Sequence, residues 1–332
     1  MKQVGLCRAH TNIALIKYWG KRDDVLFLPM NSSLSLTLDA FYTDTKVVID
    51  SQLTQDEFYL NGIKQTDEET LKISRFLDLF RVHANITDPI KIDSYNHVPT
   101  AAGLASSASA YAALAGALNQ AMGLHLDTKT LSTFARQGSG SATRSLYGGF
   151  VEWNKGVASD SDSSHAIPID PADWDIAMIV IAINKEKKKI SSRTGMKQTV
   201  ATSPFYPAWV TSAEKDINDI KEAIQRKDFL SLGEITEANG MKMHGTMLGA
   251  TPPISYWEPD SIKAIQAVQT IREEGIPCYV TMDAGPNVKV LCKESQMNEI
   301  MAKLQPHFRE DQLISSTVGK GITLLKESEW HY

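Results

Sequence analysis

The run Pro99-Thr-Ala-Ala-Gly-Leu-Ala-Ser-Ser-Ala-Ser109 joins a strand-patterned segment, Ile90 to Tyr95, to a long apolar stretch, and it limits the architectures open to this chain. Small side chains let backbone N–H groups approach a ligand closely. A helix N-terminus adds partial positive charge, and the hydroxyls of Ser106, Ser107 and Ser109 can reach phosphate oxygens or a bound Mg²⁺. The same composition suits an Ala-rich packing helix with serine caps. Neither common nucleotide fingerprint is completed. Gly138-Ser-Gly140 has Thr143 where a third glycine would stand, and Gly20-Lys21 lacks the upstream glycine and following Ser/Thr of a Walker loop. The stretch Ala101 to Leu126 is broken by serines, glycines, Asn119, Gln120 and His125, so it reads as a buried helix and not a membrane span.

Strand and helix patterns surround this loop. Leu34, Leu36 and Leu38 alternate with polar neighbours, Lys46 to Asp50 is β-branched, and Asn61-Gly62 has the chemistry of a tight hairpin turn. Glu68 to Val82 carries Leu71, Phe76, Leu79 and Phe80 at helical spacing. Trp174 to Ile183 is almost continuously apolar, as expected of a strand buried on both faces. Beyond the charged stretch 184–189 lie three helical patterns, Tyr206 to Arg226, Phe229 to Met247 and Asp260 to Glu274. Strand patterns Cys278 to Met282 and Val288 to Cys292 then flank Asp283-Ala-Gly-Pro-Asn287. The fold class is α+β. At 332 residues the chain exceeds what one core usually supports, and the expected division is residues 1–183 and 184–332.

Bulk properties exclude several classes. Apolar residues at 42% and charged residues at 22% suit an ordinary globular protein, not a disordered or fibrous one. A formal net charge of -5 argues against a broad surface for nucleic acid or anionic membrane, so anion binding must be local. Cys7, Cys278 and Cys292 are too few and too far apart for a disulfide framework or a CxxC metal site, which fits a reducing cytoplasm. Met1 to His10 lacks the apolar run of a signal peptide.

Four further constellations carry chemistry. Asn12-Ile-Ala-Leu-Ile-Lys-Tyr-Trp-Gly-Lys-Arg22 sets Lys17, Lys21 and Arg22 beside Tyr18 and Asn12, a set that could clamp a diphosphate or simply end a surface strand. Gln137-Gly-Ser-Gly-Ser-Ala-Thr-Arg-Ser145 offers Ser139 and Ser141 to phosphate and the forked Arg144 guanidinium to a carboxylate, and it reads equally as a flexible linker. Lys185, Lys187, Lys188, Lys189, Ser191, Ser192 and Arg193 form a loop that could close over phosphates, or a solvated charged face. Asp283, at the end of a strand, is a candidate general base as well as an ordinary turn residue. His10, His97 and His244 show no metal-ligand spacing and are expected to be structural.

Together these segments resemble the GHMP kinase superfamily, whose second motif, PxxxGLxSSA, is matched by Pro99 to Ala108. Within it, four segments resemble the mevalonate diphosphate decarboxylase family: Asn12 to Lys21, Ser139 to Phe150, Ser191-Ser-Arg-Thr-Gly-Met196 and Met282-Asp-Ala-Gly-Pro-Asn-Val288. The resemblance covers nearly the whole chain with motif order kept. It implies a GHMP kinase fold, with an N-terminal domain like domain 2 of ribosomal protein S5, a ferredoxin-like C-terminal domain and a cleft between them. It also implies the uncommon left-handed βαβ crossover.

The resemblance further implies ATP-dependent decarboxylation of mevalonate 5-diphosphate, with ATP and Mg²⁺ as cofactors and a possible homodimer. Asp283 would orient and deprotonate the tertiary hydroxyl, Lys17 would support it electrostatically, and Arg144 would hold the carboxylate. Tyr18, Lys21, Ser139, Ser141, Ser192 and Arg193 would bind the diphosphate. Ser94, Asn96, Gly103, Leu104, Ala105, Ser106, Ser107 and Lys187 would contact the nucleotide, with Mg²⁺ on Ser106. A sister kinase of the superfamily is the alternative, distinguished by a stable phosphorylated product and no CO₂.

Overall fold

The computed structural model describes residues 3–97, 107–184 and 190–332. Its first half opens with strand β1 (Gln3–Ile16), followed by a short hairpin of β2 (Lys21–Asp23) and β3 (Leu28–Pro29), and by the long strand β4 (Ser33–Ile49). Strands β1 and β4 pair antiparallel from Gln3 opposite Ile49 to Ile16 opposite Leu34, with irregularities at His10/Asn12 and Ala14/Ile16. The alternating Leu34, Leu36 and Leu38 are fully buried on one face. Each such leucine contributes roughly 1.5–3 kcal/mol through removal from water.

Strands β5 (Glu57–Leu60) and β6 (Ile63–Lys64) are joined by Asn61 and Gly62, at φ 50° and 76°. That is the left-handed pair a two-residue hairpin needs. Helix α1 (Asp67–Ala84) starts at Thr66, whose side chain accepts from the Glu69 N–H, and ends at left-handed Asn85. Strand β7 (Ile90–His97) then lies antiparallel to β4 and parallel to β5, completing a βαβ unit through α1.

Helix α2 (Ser107–Ala121) packs directly on β1, and this contact explains its small residues. A Cβ on Gly5 would meet the Ala117 carbonyl oxygen at 1.9 Å, and one on Gly116 would meet Cys7 Sγ at 2.4 Å. Helix α3 (Thr128–Gly138), a 3₁₀ turn (Gly140–Leu146), β8 (Phe150–Trp153) and β9 (Ala166–Asp170) complete this half.

The second half comprises β10 (Ala177–Ile181), α4 (Ser192–Thr202), α5 (Tyr206–Gln225), α6 (Phe229–Leu248), α7 (Pro259–Glu273), β11 (Cys278–Met282), β12 (Val288–Cys292), α8 (Met297–Leu304), β13 (Leu313–Ser316) and β14 (Thr323–Leu324). Its sheet runs β11-β12-β10-β13, antiparallel throughout. The first sheet runs β14-β1-β4-β7-β5-β6, with β8 on β4 and β9 on β8, so the chain end returns to the first half.

Strand β10 is buried along its length because each face meets a different core. Met178 and Val180 join the cluster shared with β1, β4, α5 and α6, while Ala177, Ile179 and Ile181 join the one under α7 and α8. Counted from the sequence within residues 1–183, β10 pairs with β12 and β13 of the second sheet. Apolar periodicity reveals a two-faced strand but not the sheet it joins.

Candidate active site

The end of β1, the 3₁₀ turn, the start of α4 and the β11–β12 turn converge on a cavity of about 360 Å³ between the two sheets. Asp283 follows directly on β11, in a tight turn where the Gly285 N–H donates to the Asp283 carbonyl at 2.7 Å. Its side chain keeps 39% of its surface and opens into the cavity. Lys17 Nζ lies 2.9 Å from Oδ1, and Lys289 Nζ lies 3.1 Å from Oδ2. Both lysines are almost fully buried. Burial works against the carboxylate charge, yet the two ammonium groups outweigh it and hold Asp283 well below the usual carboxylate range. Burial lowers the Lys17 pKa, with Asp283 opposing and Lys289 and Arg144 adding to the shift.

The backbone of Lys17 is fixed from several sides. Its N–H donates to Asn239 Oδ1 on α6 at 2.8 Å, and its carbonyl accepts from Asn31 Nδ2 at 2.9 Å. Asn239 Nδ2 in turn donates to Asp216 Oδ2 on α5 at 2.8 Å, and Lys242 Nζ donates to the same carboxylate. Behind Lys17, the His244 imidazole is buried, its pKa pushed down to about 4 by burial and next by the Lys17 charge, so it is neutral at pH 7.

The segment 137–145 is a packed turn and not a flexible linker. Arg144 is buried, donating from Nη1 to Ser33 Oγ at 2.6 Å and from Nε to Asn12 Oδ1 at 3.2 Å. Asn12 Nδ2 donates to the Ser141 carbonyl and to Ser145 Oγ. Burial lowers the guanidinium pKa to about 10, which leaves it charged at neutral pH. Gly140 is required here, since a Cβ would stand 2.8 Å from Trp153 and 3.2 Å from Tyr18. Ser139 Oγ lies 3.2 Å from Ser141 Oγ and 3.3 Å from Ser107 Oγ at the start of α2, so three hydroxyls gather on one wall.

The Tyr18 hydroxyl is buried at the cavity with no hydrogen-bond partner among the described residues. An unmet buried donor costs about 1–3 kcal/mol, and a bound ligand oxygen would remove that cost. Across the mouth, Lys21 Nζ sits 3.4 Å above the Phe27 ring, with the Arg193 guanidinium 5.8 Å from the same ring. Ser192 opens α4, whose cap Ser191 accepts from the Thr194 N–H.

The expected residues Lys17, Tyr18, Lys21, Ser107, Ser139, Ser141, Arg144, Ser192, Arg193 and Asp283 all line this one cavity. Gly103, Leu104, Ala105, Ser106 and Lys187 lie outside the described residues. Ser94 and Asn96 are on β7 and are not among the lining residues. Ser94 Oγ meets Thr45 Oγ1 at 2.6 Å, and Asn96 Oδ1 accepts from Thr43 Oγ1. The Thr43 hydroxyl continues through Ser109 to Thr11, which does line the cavity. The described residues contain no cluster of three or more metal-ligating side chains. The hydroxyl wall instead suits a Mg²⁺ that arrives on phosphate oxygens, since that ion keeps most of its non-protein ligands.

Sequence reasoning missed Lys289 and Asn239. The signal for Lys289 was a single lysine inside the apolar strand Val288-Lys-Val-Leu-Cys292, a place where a charge needs a buried partner.

Residues 9–166 match the diphosphomevalonate decarboxylase-like N-terminal domain, and residues 178–329 match the mevalonate 5-diphosphate decarboxylase C-terminal domain. The chain is 38% identical to diphosphomevalonate decarboxylase of Homo sapiens over 318 residues, covering 89% of this chain and 78% of that one. Mevalonate diphosphate decarboxylase from Staphylococcus aureus superimposes with a TM-score of 0.95 at 50% identity, over 98% of this chain and 99% of that chain. A complex of MDDEF with MVAPP, AMPPCP and magnesium superimposes with a TM-score of 0.93 at 53% identity, over 98% and 100%.

Proposed function

The chain belongs to the diphosphomevalonate decarboxylase family, and from that membership we infer that its cleft converts mevalonate 5-diphosphate and ATP to isopentenyl diphosphate, ADP, phosphate and CO₂. It has the GHMP kinase fold of its solved relatives. The observation that carries the reading is a carboxylate held between two buried lysines and facing a buried arginine and a wall of hydroxyls.

The chemistry requires those parts. A tertiary hydroxide leaves badly, so the hydroxyl is phosphorylated first. The carbon–oxygen bond then breaks with loss of phosphate, and the electron pair freed as CO₂ departs becomes the new double bond. Asp283 orients the hydroxyl and receives its proton. Its depressed basicity suits a loose phosphoryl transfer, in which position and charge neutralisation outweigh base strength. Lys17 fixes Asp283 and offsets its charge, and Arg144 presents its fork to the substrate carboxylate. Tyr18, Lys21, Ser139, Ser141, Ser192 and Arg193 take the diphosphate.

Following the family resemblance, nucleotide contacts are assigned to Ser94, Asn96, Gly103, Leu104, Ala105, Ser106, Ser107 and Lys187. Mg²⁺ on Ser106 would supply charge neutralisation for the transferred phosphoryl group. Two polyphosphates in one cleft bring about six negative charges, which the local cations answer although the chain as a whole is acidic. Residues 1–183 thus carry the nucleotide loop, and residues 184–332 carry Asp283. No helix among the described residues is long and apolar enough to cross a membrane. Three buried, unpaired cysteines support a reducing cytoplasm, and the family resemblance supports a homodimer.

Incubation with Mg²⁺-ATP and mevalonate 5-diphosphate, following CO₂ and inorganic phosphate together, tests the reading. Equal release of both is expected. ADP formation with a stable phosphorylated product and no CO₂ would move the chain to the sister kinases.

A further inference from the structure

Asp283 stands at the tip of a turn, and one pin alone would leave its carboxylate able to rotate about the Cβ–Cγ bond. Its two pins come from different places. Lys17 reaches it from the end of β1, in the opposite half of the molecule, whereas Lys289 belongs to β12, the strand paired with β11. In that ladder Lys289 lies directly across from Thr281, two residues before Asp283. The Lys289 ammonium also donates to the Asn287 carbonyl at 3.2 Å, and its side chain is only 4% exposed. A charged group in a strand this apolar needs a counter-charge, and Asp283 is the carboxylate that meets it.

We propose that Lys289 is a positioning residue for the phosphoryl-transfer step, holding Oδ2 of Asp283 from within the same sheet so that the carboxylate keeps one orientation and carries no net repulsion toward incoming polyphosphates. Lys289 makes Asp283 ready within the second half, and Lys17 completes the pair from the first half. The charged groups around the carboxylate fit this division. Lys17, Lys289 and Arg144 are cationic, and His244 on α6 is neutral at pH 7. Asp283 therefore sits in a net positive surround and still presents its remaining lone pairs to the cavity. The inference rests on the decarboxylase reading of the cleft and adds a residue to it.

The test is a mutant cycle of Lys289→Met with Asp283→Asn, with Lys289→Arg as the conservative variant. In the wild-type background K289M is expected to lower kcat about 100-fold, with KM for both substrates changed less than about threefold, as loss of a transition-state interaction requires. K289R is expected to recover about tenfold of that loss, because it restores a cation at the same place. In the D283N background K289M should change the residual turnover by less than about threefold, because its effect runs through Asp283.

The proposal is overturned if K289M keeps near-normal kcat, if its defect lies in KM, or if it costs the same factor with and without Asp283. Should K289M not fold, the cycle run with Lys289→Gln decides by the same coupling. Wild-type CO₂ release reports separately on the decarboxylase reading, so the two can fail independently.

Discussion

Lys17 and Asp283, 266 positions apart in the chain, meet at 2.9 Å across the cleft, and each comes from a different sheet. The ion pair is therefore a joint between the two halves as well as part of the proposed chemistry. Its geometry depends on what holds Lys17: Asn31 on one side, and Asn239 with Asp216 and Lys242 on the other.

Asn239→Ala removes the acceptor of the Lys17 N–H and one donor to Asp216, leaving buried polar groups unmet. A stability loss of about 1–3 kcal/mol is expected, seen as a lower urea midpoint. Turnover should fall while nucleotide affinity holds, because Asn239 lies against Lys17 and away from the serine wall. Unchanged turnover would show that Lys17 keeps its place without α6.

Tyr18→Phe removes a hydroxyl that has no partner among the described residues. The unliganded protein should be as stable as wild type or more stable by about 1 kcal/mol. Affinity for mevalonate 5-diphosphate should fall by about tenfold, measured by calorimetry with the substrate alone. Equal loss of stability and affinity would mean the hydroxyl serves the fold.

His244 gives a pH dependence with a definite sign. Its folded pKa is about 4 and its unfolded pKa about 6.5, so the unfolded chain binds the extra proton in that interval. Stability from this group is whole above pH about 6.5 and falls as pH drops toward 4, by roughly 3 kcal/mol in total. Urea midpoints measured from pH 7 to pH 4 should show the slope in wild type and a flatter one in His244→Asn. Asp283 adds slope only below pH about 5, since its folded pKa is depressed and its contribution is lost as pH falls through and below the unfolded carboxylate range.

Much of this was legible in the sequence where one local pattern decided the matter. Cys278–Met282 and Val288–Cys292 stand as strands because apolar runs flank a turn rich in Gly, Pro and Asn, and Asp283 is marked by its place between them. Asn61-Gly62 announced its hairpin through left-handed backbone preference alone. The segment around Arg144 was ambiguous because small residues look alike in a linker and in a packed turn. What fixes it are Asn12 and Ser33, more than a hundred positions away. Asn239 is one of several polar residues on α6, and its partner at Lys17 lies 222 positions off. Lys289 and the sheet membership of β10 likewise depend on tertiary pairing, which periodicity does not carry.

On the proposed mechanism the carboxylate of Asp283 drives turnover and is not needed for either ligand to bind. The direct measurement is CO₂ and phosphate release by Asp283→Asn with saturating Mg²⁺-ATP and mevalonate 5-diphosphate, beside calorimetric affinities for each ligand. Turnover about a thousandfold or more below wild type is expected, with both affinities within a few-fold. Release of CO₂ within tenfold of wild type would contradict it.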